Sequence, residues 1–276
     1  MTRQRLLRWS AYVAVAIVFA IVCAFLSNWQ FSRNDGRETQ IRLVDANYGA
    51  DPVPLGDLLA PGATLAEDDQ WHPVELEGVY DTEHQLLVRN RPHGGTSAFE
   101  VLVPFRTGDG RVFIVNRGWV PPGEGELPET IPAAPPGEVS VIVRLRPGEP
   151  LPPSGRGAPD GQVPSINLTA VATAIDAPSG QVDTGAYGEL VSEDPAPATR
   201  PHAFDMPSED PGPHLSYAIQ WILFALMGFI FIGYIIRTEI VKHREESAGR
   251  PPRGPRRRRD RDMTDEDALL DAVDQH

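Results

Sequence analysis

Two stretches of the chain run without polar interruption, and between them the pattern shifts to short alternations. From Trp9 to Leu26 the only non-apolar residue is Ser10, and from Leu215 to Ile236 no side chain is ionised. At a helical rise of about 1.5 Å per residue these 18 and 22 residues reach about 27 and about 33 Å, against a hydrocarbon core of about 30 Å. The pattern predicts transmembrane helices at 9–26 and 215–236. Beyond Leu26, Asn28-Trp29-Gln30-Phe31-Ser32-Arg33 leads into a charged stretch in which Ile41 and Val44 are three apart. That spacing predicts that the first helix continues out of the bilayer, with Trp29 at the interface, until Pro52 and Pro54 end any helix.

From Trp71 onward the period is two. Val74, Leu76, Gly78 and Tyr80 alternate with Glu75, Glu77 and Val79, and Gln85 to Arg89 forms a second short strand. Residues 99–106 and 111–120 flank Thr107-Gly108-Asp109-Gly110 as a hairpin, and Val139 to Leu145 is a further strand. Short strands without strong helices between them predict an antiparallel barrel or sandwich. The segments 121–136, 147–164 and 192–213, dense in proline and glycine, read as surface loops, because proline lacks the donor a central strand needs. The predicted fold class is a membrane protein with two transmembrane α-helices flanking an extracytoplasmic antiparallel β-rich domain.

Charge orients this arrangement. Arg3, Arg5 and Arg8 precede the first span, and Arg237, Lys242 and Arg244 follow the second, so both termini are expected in the cytoplasm. The expected organisation is a cytoplasmic N-terminus (1–8), a span (9–26), an external domain (27–213), a span (215–236) and a disordered cytoplasmic tail (237–276). Residues 27–213 hold 12 Arg against 28 Asp and Glu, a balance that opposes nucleic-acid binding there. The tail carries Arg256 to Arg259 and then acids; its basic run suits anionic lipid headgroups, and Thr264 could cap a short terminal helix. Cys23 is the only cysteine, so no intrachain disulfide, thiolate zinc site or CxxCH haem attachment can form. A cleaved signal peptide is the alternative for the N-terminus; the absence of a small-x-small site after Phe25 favours an uncleaved anchor.

The common catalytic motifs, GxSxG, Walker A, HExxH and GxGxxG, are missing from the sequence. His72, His84 and His93 fall on or near strands without a spacing that demands a metal. His214 differs in depth: it stands where the second helix begins, with Tyr217, Trp221 and Phe224 following at helical spacings. Imidazole there can ligate a haem iron beside an aromatic groove, or can be an interfacial histidine within an ordinary aromatic belt.

Four segments taken together, Asn28 to Arg33, Val74 to Asp81, Val115-Asn116-Arg117-Gly118-Trp119-Val120-Pro121 and His214-Leu215-Ser216-Tyr217-Ala218-Ile219-Gln220-Trp221, resemble the Surfeit locus protein 1 family, assembly factors of haem-copper cytochrome c oxidase. The likeness runs from about residue 5 to about residue 240, in order. It implies a non-enzymatic protein of the bacterial plasma membrane that matures oxidase subunit I, binds haem a through His214 and works alongside the haem a synthesis machinery. Gly212-Pro213 stands where the family often has Asn-Asn, and Pro213 still permits a helix start. Arg117 is a candidate for haem propionates or an acidic patch on subunit I, or for an internal ion pair. Tyr217 and Trp221 would flank the cofactor. Trp29, Gln30 and Arg33 form a partner or structural element, Gly78 and Gly118 are expected to meet backbone constraints, and Trp119 to pack in the barrel. Two alternatives stay open: a docking chaperone that binds no haem, and a two-span polysaccharide chain-length regulator, which would show long helical segments in the loop.

Overall fold

The computed structural model describes residues 3–124, 127–155, 157–178 and 180–247. The arginine run of the tail and the Thr264 helix lie outside them. In chain order the elements are α1 (Arg3–Asn47), β1 (Val53–Pro54), α2 (Leu55–Leu58), β2 (Pro73–Tyr80), β3 (Leu86–His93), β4 (Thr96–Thr107), β5 (Val112–Val120), β6 (Glu138–Arg146), β7 (Gln162–Val163), α3 (Leu168–Ala174), β8 (Tyr187–Asp194) and α4 (His214–Ser247). They form two compact units: the chain up to Arg33 with the chain from Pro213, and the stretch Asn34–Gly212.

The first unit pairs the N-terminal part of α1 with α4. Both helices are long and apolar enough to cross a membrane, which is consistent with a membrane protein. Their shared seam is built from small residues. Ala16, Cys23, Ser27 and Ala218 are buried, and the Ser27 hydroxyl donates to the Ala218 carbonyl at 2.9 Å. Small side chains let helix backbones approach closely where no water-driven force joins them. Large apolar side chains face outward instead: Phe25 is 72% exposed and Ile230 71%, an arrangement that suits lipid and not water. Further along, Trp9 Nε1 donates to Glu239 at 2.9 Å and Arg8 pairs with the same carboxylate. Helix α4 runs on to Ser247, so residues 237–247, expected in a disordered tail, are helical. That segment lacks proline and glycine, and Glu239 is held by α1.

α1 extends to Asn47 without a break, as the spacing of Ile41 and Val44 predicts. Its end in the second unit packs Leu43 and Val44 against Trp71. The rest of that unit is an eight-stranded sheet, among the described residues, ordered β1-β2-β6-β8-β5-β4-β3-β7. Because β2 also pairs with β4, through Gly78↔Thr107 to Tyr80↔Phe105, hydrogen bonding returns to its starting strand. The expected antiparallel arrangement is corrected to a mixed one: β1 with β2, β3 with β7 and β5 with β8 are parallel. Parallel neighbours need long connections, and residues 121–186 between β5 and β8 supply one. Alternation shows which face a residue takes but not the direction of the strand beside it. β8 is itself a correction: residues 192–194, placed in a loop by sequence, continue a strand lying between β6 and β5.

The two faces of the sheet bury separate cores. Val101, Val103 and Phe105 of β4 meet Phe113 and Val115 of β5 and Val141, Val143 and Leu145 of β6 in one. Leu102, Val112 and Ile114 face the other, which α3 closes with Leu168 and Val171. Asn167 starts α3 by accepting the Ala170 N–H at 3.1 Å. Gly78 stands where β2 meets both β4 and β6, and a Cβ there would sit 2.0 Å from the Arg106 carbonyl oxygen. Gly36, inside α1, has open space around it. Gly78→Ala is expected to destabilise the protein by about 1–3 kcal/mol or more through forced strand separation. Gly36→Ala is expected to be neutral or to add up to about 1 kcal/mol through helix propensity. Thermal unfolding of the detergent-solubilised chain compares the two.

Candidate functional site

His214 is the first residue of α4, held there because the Pro213 carbonyl accepts the Tyr217 N–H at 3.0 Å and begins the helical ladder. Its imidazole is half-buried, and Nδ1 lies 2.9 Å from Gln30 Oε1 on α1. A carboxamide oxygen only accepts, so this contact is a hydrogen bond in the Nδ1–H tautomer, the form that leaves Nε2 its lone pair. Around it the surface is apolar and open: Leu215, Tyr217 and Ile219 are exposed by 46–48%, while Trp221 and Phe224 are half-buried and meet edge to face with centroids 5.7 Å apart. Tyr217 therefore lies on the outer rim beside His214 and not in the seam. One turn beyond Gln30, the exposed Arg33 guanidinium sits 5.6 Å from the centre of the Trp29 ring. The site combines one imidazole lone pair, an apolar flank and a nearby cation. These features fit an iron porphyrin with acidic side chains.

Arg117, Gly78, Gly118 and Trp119 belong to the other unit. Arg117 is 1% exposed and bonded on every side of its guanidinium. Nε and Nη2 reach the two carboxylate oxygens of Glu193 at 2.8 and 3.1 Å, and Nη1 donates to the Pro132 carbonyl at 2.9 Å. The candidate role toward propionates or a partner's acids is thereby corrected: this arginine serves the internal ion pair. Glu193 reaches it because the register of β8 slips between Ile142 and Val143 of β6, which turns both Leu190 and Glu193 inward. Burial, followed by the Glu193 carboxylate, raises the neighbouring Tyr80 hydroxyl well above the usual phenol range.

A bulge in β5 explains the place of Trp119. The register steps from Leu102↔Asn116 to Glu100↔Trp119, so Arg117 and Gly118 together oppose Val101. Gly118 takes φ +126°, and a Cβ on it would lie 2.3 Å from the His202 carbonyl oxygen. The extra residue sends Arg117 inward and Trp119 outward. Trp119, expected in the core, is instead half-buried on the surface, stacked between His93 at 5.3 Å and His202 at 4.5 Å. Single-period alternation through the strand hides such a slip.

Beside this stack the outer face carries a charged network not visible in the sequence. Arg91 Nε donates to Glu100 at 2.8 Å, and its two terminal nitrogens donate to Glu149 at 3.1 and 2.7 Å. Glu100 also meets His93 Nε2 at 2.9 Å and accepts from Asn116 at 2.9 Å. Glu189, opposite Asn116, is pushed up to about 7 by burial; Arg146, 3.3 Å away, opposes that shift and Glu100 adds to it. His72 and His84 have separate partners, the Pro73 carbonyl and Asp81. Among the described residues no three histidines, cysteines or acids converge in metal-binding geometry.

Two helices fit to cross a membrane, a mixed β-sheet domain between them and a histidine at the start of the second helix define a class of two-helix proteins carrying a single β domain. The comparisons narrow it. The family model "SURF1 family" matches residues 17–226. SURF1-like proteins of Mycobacterium bovis and Mycobacterium tuberculosis are each 36% identical over 268 residues, covering 95% of this chain and 94% of theirs. A SURF1-like protein of Monosiga brevicollis is 30% identical over 139 residues, 45% of this chain and 49% of its own. The chain belongs to the SURF1 family.

The charged groups of the domain carry two expectations. Because Glu189 titrates near 7 in the fold against 4.5 ordinarily, its contribution to stability is complete below about 4.5 and is lost as pH rises through about 7. Glu189→Gln should therefore flatten the fall in stability across that window, as read from unfolding midpoints of both forms at about pH 5 and about pH 8. Arg117→Ala leaves Glu193 buried without a counter-charge and should cost about 3–5 kcal/mol. The pair Arg117→Met with Glu193→Leu should recover most of that loss in the same unfolding measurement.

Proposed function

We propose that this protein is a non-enzymatic assembly factor for haem-copper cytochrome c oxidase, which holds haem a at His214 and passes it to subunit I. In this reading it resides in the bacterial plasma membrane with both termini cytoplasmic and the β domain outside, next to the haem a synthesis machinery. The arginine flanks of the two helices support that orientation, and family membership supports the oxidase as the client.

The observation that carries the haem reading is the placing of His214: half-buried at a helix start, with Nδ1 2.9 Å from Gln30 Oε1 beside an exposed apolar flank, so that Nε2 would be the nitrogen left to ligate. Bound haem a would supply the redox iron of the future oxidase. His214 Nε2 would ligate the iron, Trp221, Phe224 and Tyr217 would line the macrocycle, and Arg33 would meet the propionates in place of the buried Arg117. A single imidazole from the chain is a modest hold, and that is what a transfer step needs. The β domain would dock the recipient, with the half-buried Trp119 stack as one surface on offer. No covalent step is assigned to any residue.

The test uses the full chain purified after coexpression with haem a synthesis enzymes. Wild type is expected to carry haem, and His214→Ala to lose most of it without a change in the unfolding of the β domain. His214→Met should retain a fraction through its thioether. Unchanged haem content in His214→Ala overturns the ligand assignment, and lost oxidase activity with unchanged haem would indicate docking without haem.

A further inference from the structure

We infer that Gln30 is a positioning residue for His214, selecting the ring tautomer and keeping the imidazole a moderate donor. The inference deepens the haem reading above and rests on it for its purpose, although the tautomer can be measured without any haem.

The geometry begins in the helix seam. Ser27 Oγ donates to the Ala218 carbonyl at 2.9 Å, and one turn further along α1 Gln30 Oε1 meets His214 Nδ1 at 2.9 Å, one turn back along α4. Cys23 and Ala16 continue the same buried edge of α1. Two antiparallel helices bonded at successive turns have little freedom to slide, so the carboxamide is presented to the ring at a fixed height. The bond joins residues 184 positions apart and uses Gln30, whose side chain makes no other hydrogen bond among the described residues.

The chemistry follows from the partner's identity. Neutral imidazole carries one N–H and one lone pair, and a free histidine ring in water favours the proton on Nε2. An oxygen acceptor at Nδ1 reverses this and frees Nε2, the less crowded nitrogen, to donate to a metal. A carboxylate in the same place would draw the proton further and make the ring a stronger donor, whereas a carboxamide has no charge and leaves it weak. A helix clasp would be served by any hydrogen bond across the seam. A site that must bind and then release is served by this one.

The experiment uses the full chain in detergent micelles with histidine ring nitrogens labelled, the His214 signals being those missing in His214→Ala. Nitrogen chemical shifts of the haem-free protein should report the Nδ1–H form in wild type and a return to Nε2–H in Gln30→Leu. An Nε2–H form in wild type, or no change in Gln30→Leu, overturns the inference whether or not the protein holds haem. In haem-loaded protein, Gln30→Leu should release haem to apomyoglobin about tenfold faster than wild type. Gln30→Glu should retain it longer, with an altered visible spectrum and a lower reduction potential. Ser27→Ala, which weakens the seam without touching the ring, should leave spectrum and potential unchanged. If both Gln30 variants match wild type in spectrum, potential and release while His214→Ala loses haem, the haem reading stands and the positioning role is wrong. If wild type shows the Nδ1–H form but takes up no haem, the positioning role stands and the haem reading fails.

Discussion

A guanidinium placed among valines and phenylalanines has to be neutralised and hydrogen-bonded where it lies, and the architecture of the β domain follows from that demand at Arg117. Its carboxylate comes from β8, so β8 has to lie within reach of β5, and its remaining donor requires the backbone at Pro132, which draws residues 131–134 against the sheet. The bulge that admits Arg117 creates the left-handed Gly118 and turns Trp119 to the outside. Ion pair, loop path and surface stack are thus linked through one residue. Buried pairs of this kind add little net stability over an apolar substitute, but a missing partner is severely penalised. Arg117 therefore enforces one arrangement of the strands more than it strengthens the fold.

The helical unit, up to Arg33 and from Pro213, is built in a way that suits a different solvent. Its helices keep charged groups at the ends and small residues in the seam, where Ser27 and Gln30 hydrogen-bond across from α1 to α4 at one end and Trp9 to Glu239 at the other. Where lipid replaces water, apolar side chains gain nothing by meeting one another, so polar contacts and close backbone approach decide the register. The same bond that sets the register reaches the ring of His214.

Sequence pattern made the helices and most of the strands readable because each rests on a local period. The continuation of α1 to Asn47 shows in Ile41 and Val44, and β2, β4, β5 and β6 in their alternation. Features that depend on distant pairing did not show. β8 alternates too, but Gly188 and the acids at 189 and 193 disguise its buried side, and a slip of register brings Glu193 inward. The seven residues of α3 are too few for a helical period to stand out. Arg117 and Glu193 are 76 positions apart, and nothing in either neighbourhood announces the other. The candidate site was half readable: His214 could be named from its flanks and Gln30 from the family resemblance, but the bond between them belongs to the packing of α1 on α4.

Cys23, the chain's single thiol, has no exposed surface in the α1–α4 seam. Thiol chemistry runs through an accessible thiolate, so oxidants and soft metal ions meet nothing reactive while the helices stay together. The converse also holds: alkylation of Cys23 becomes possible only when the seam parts, and the residue serves as a built-in gauge of helix separation.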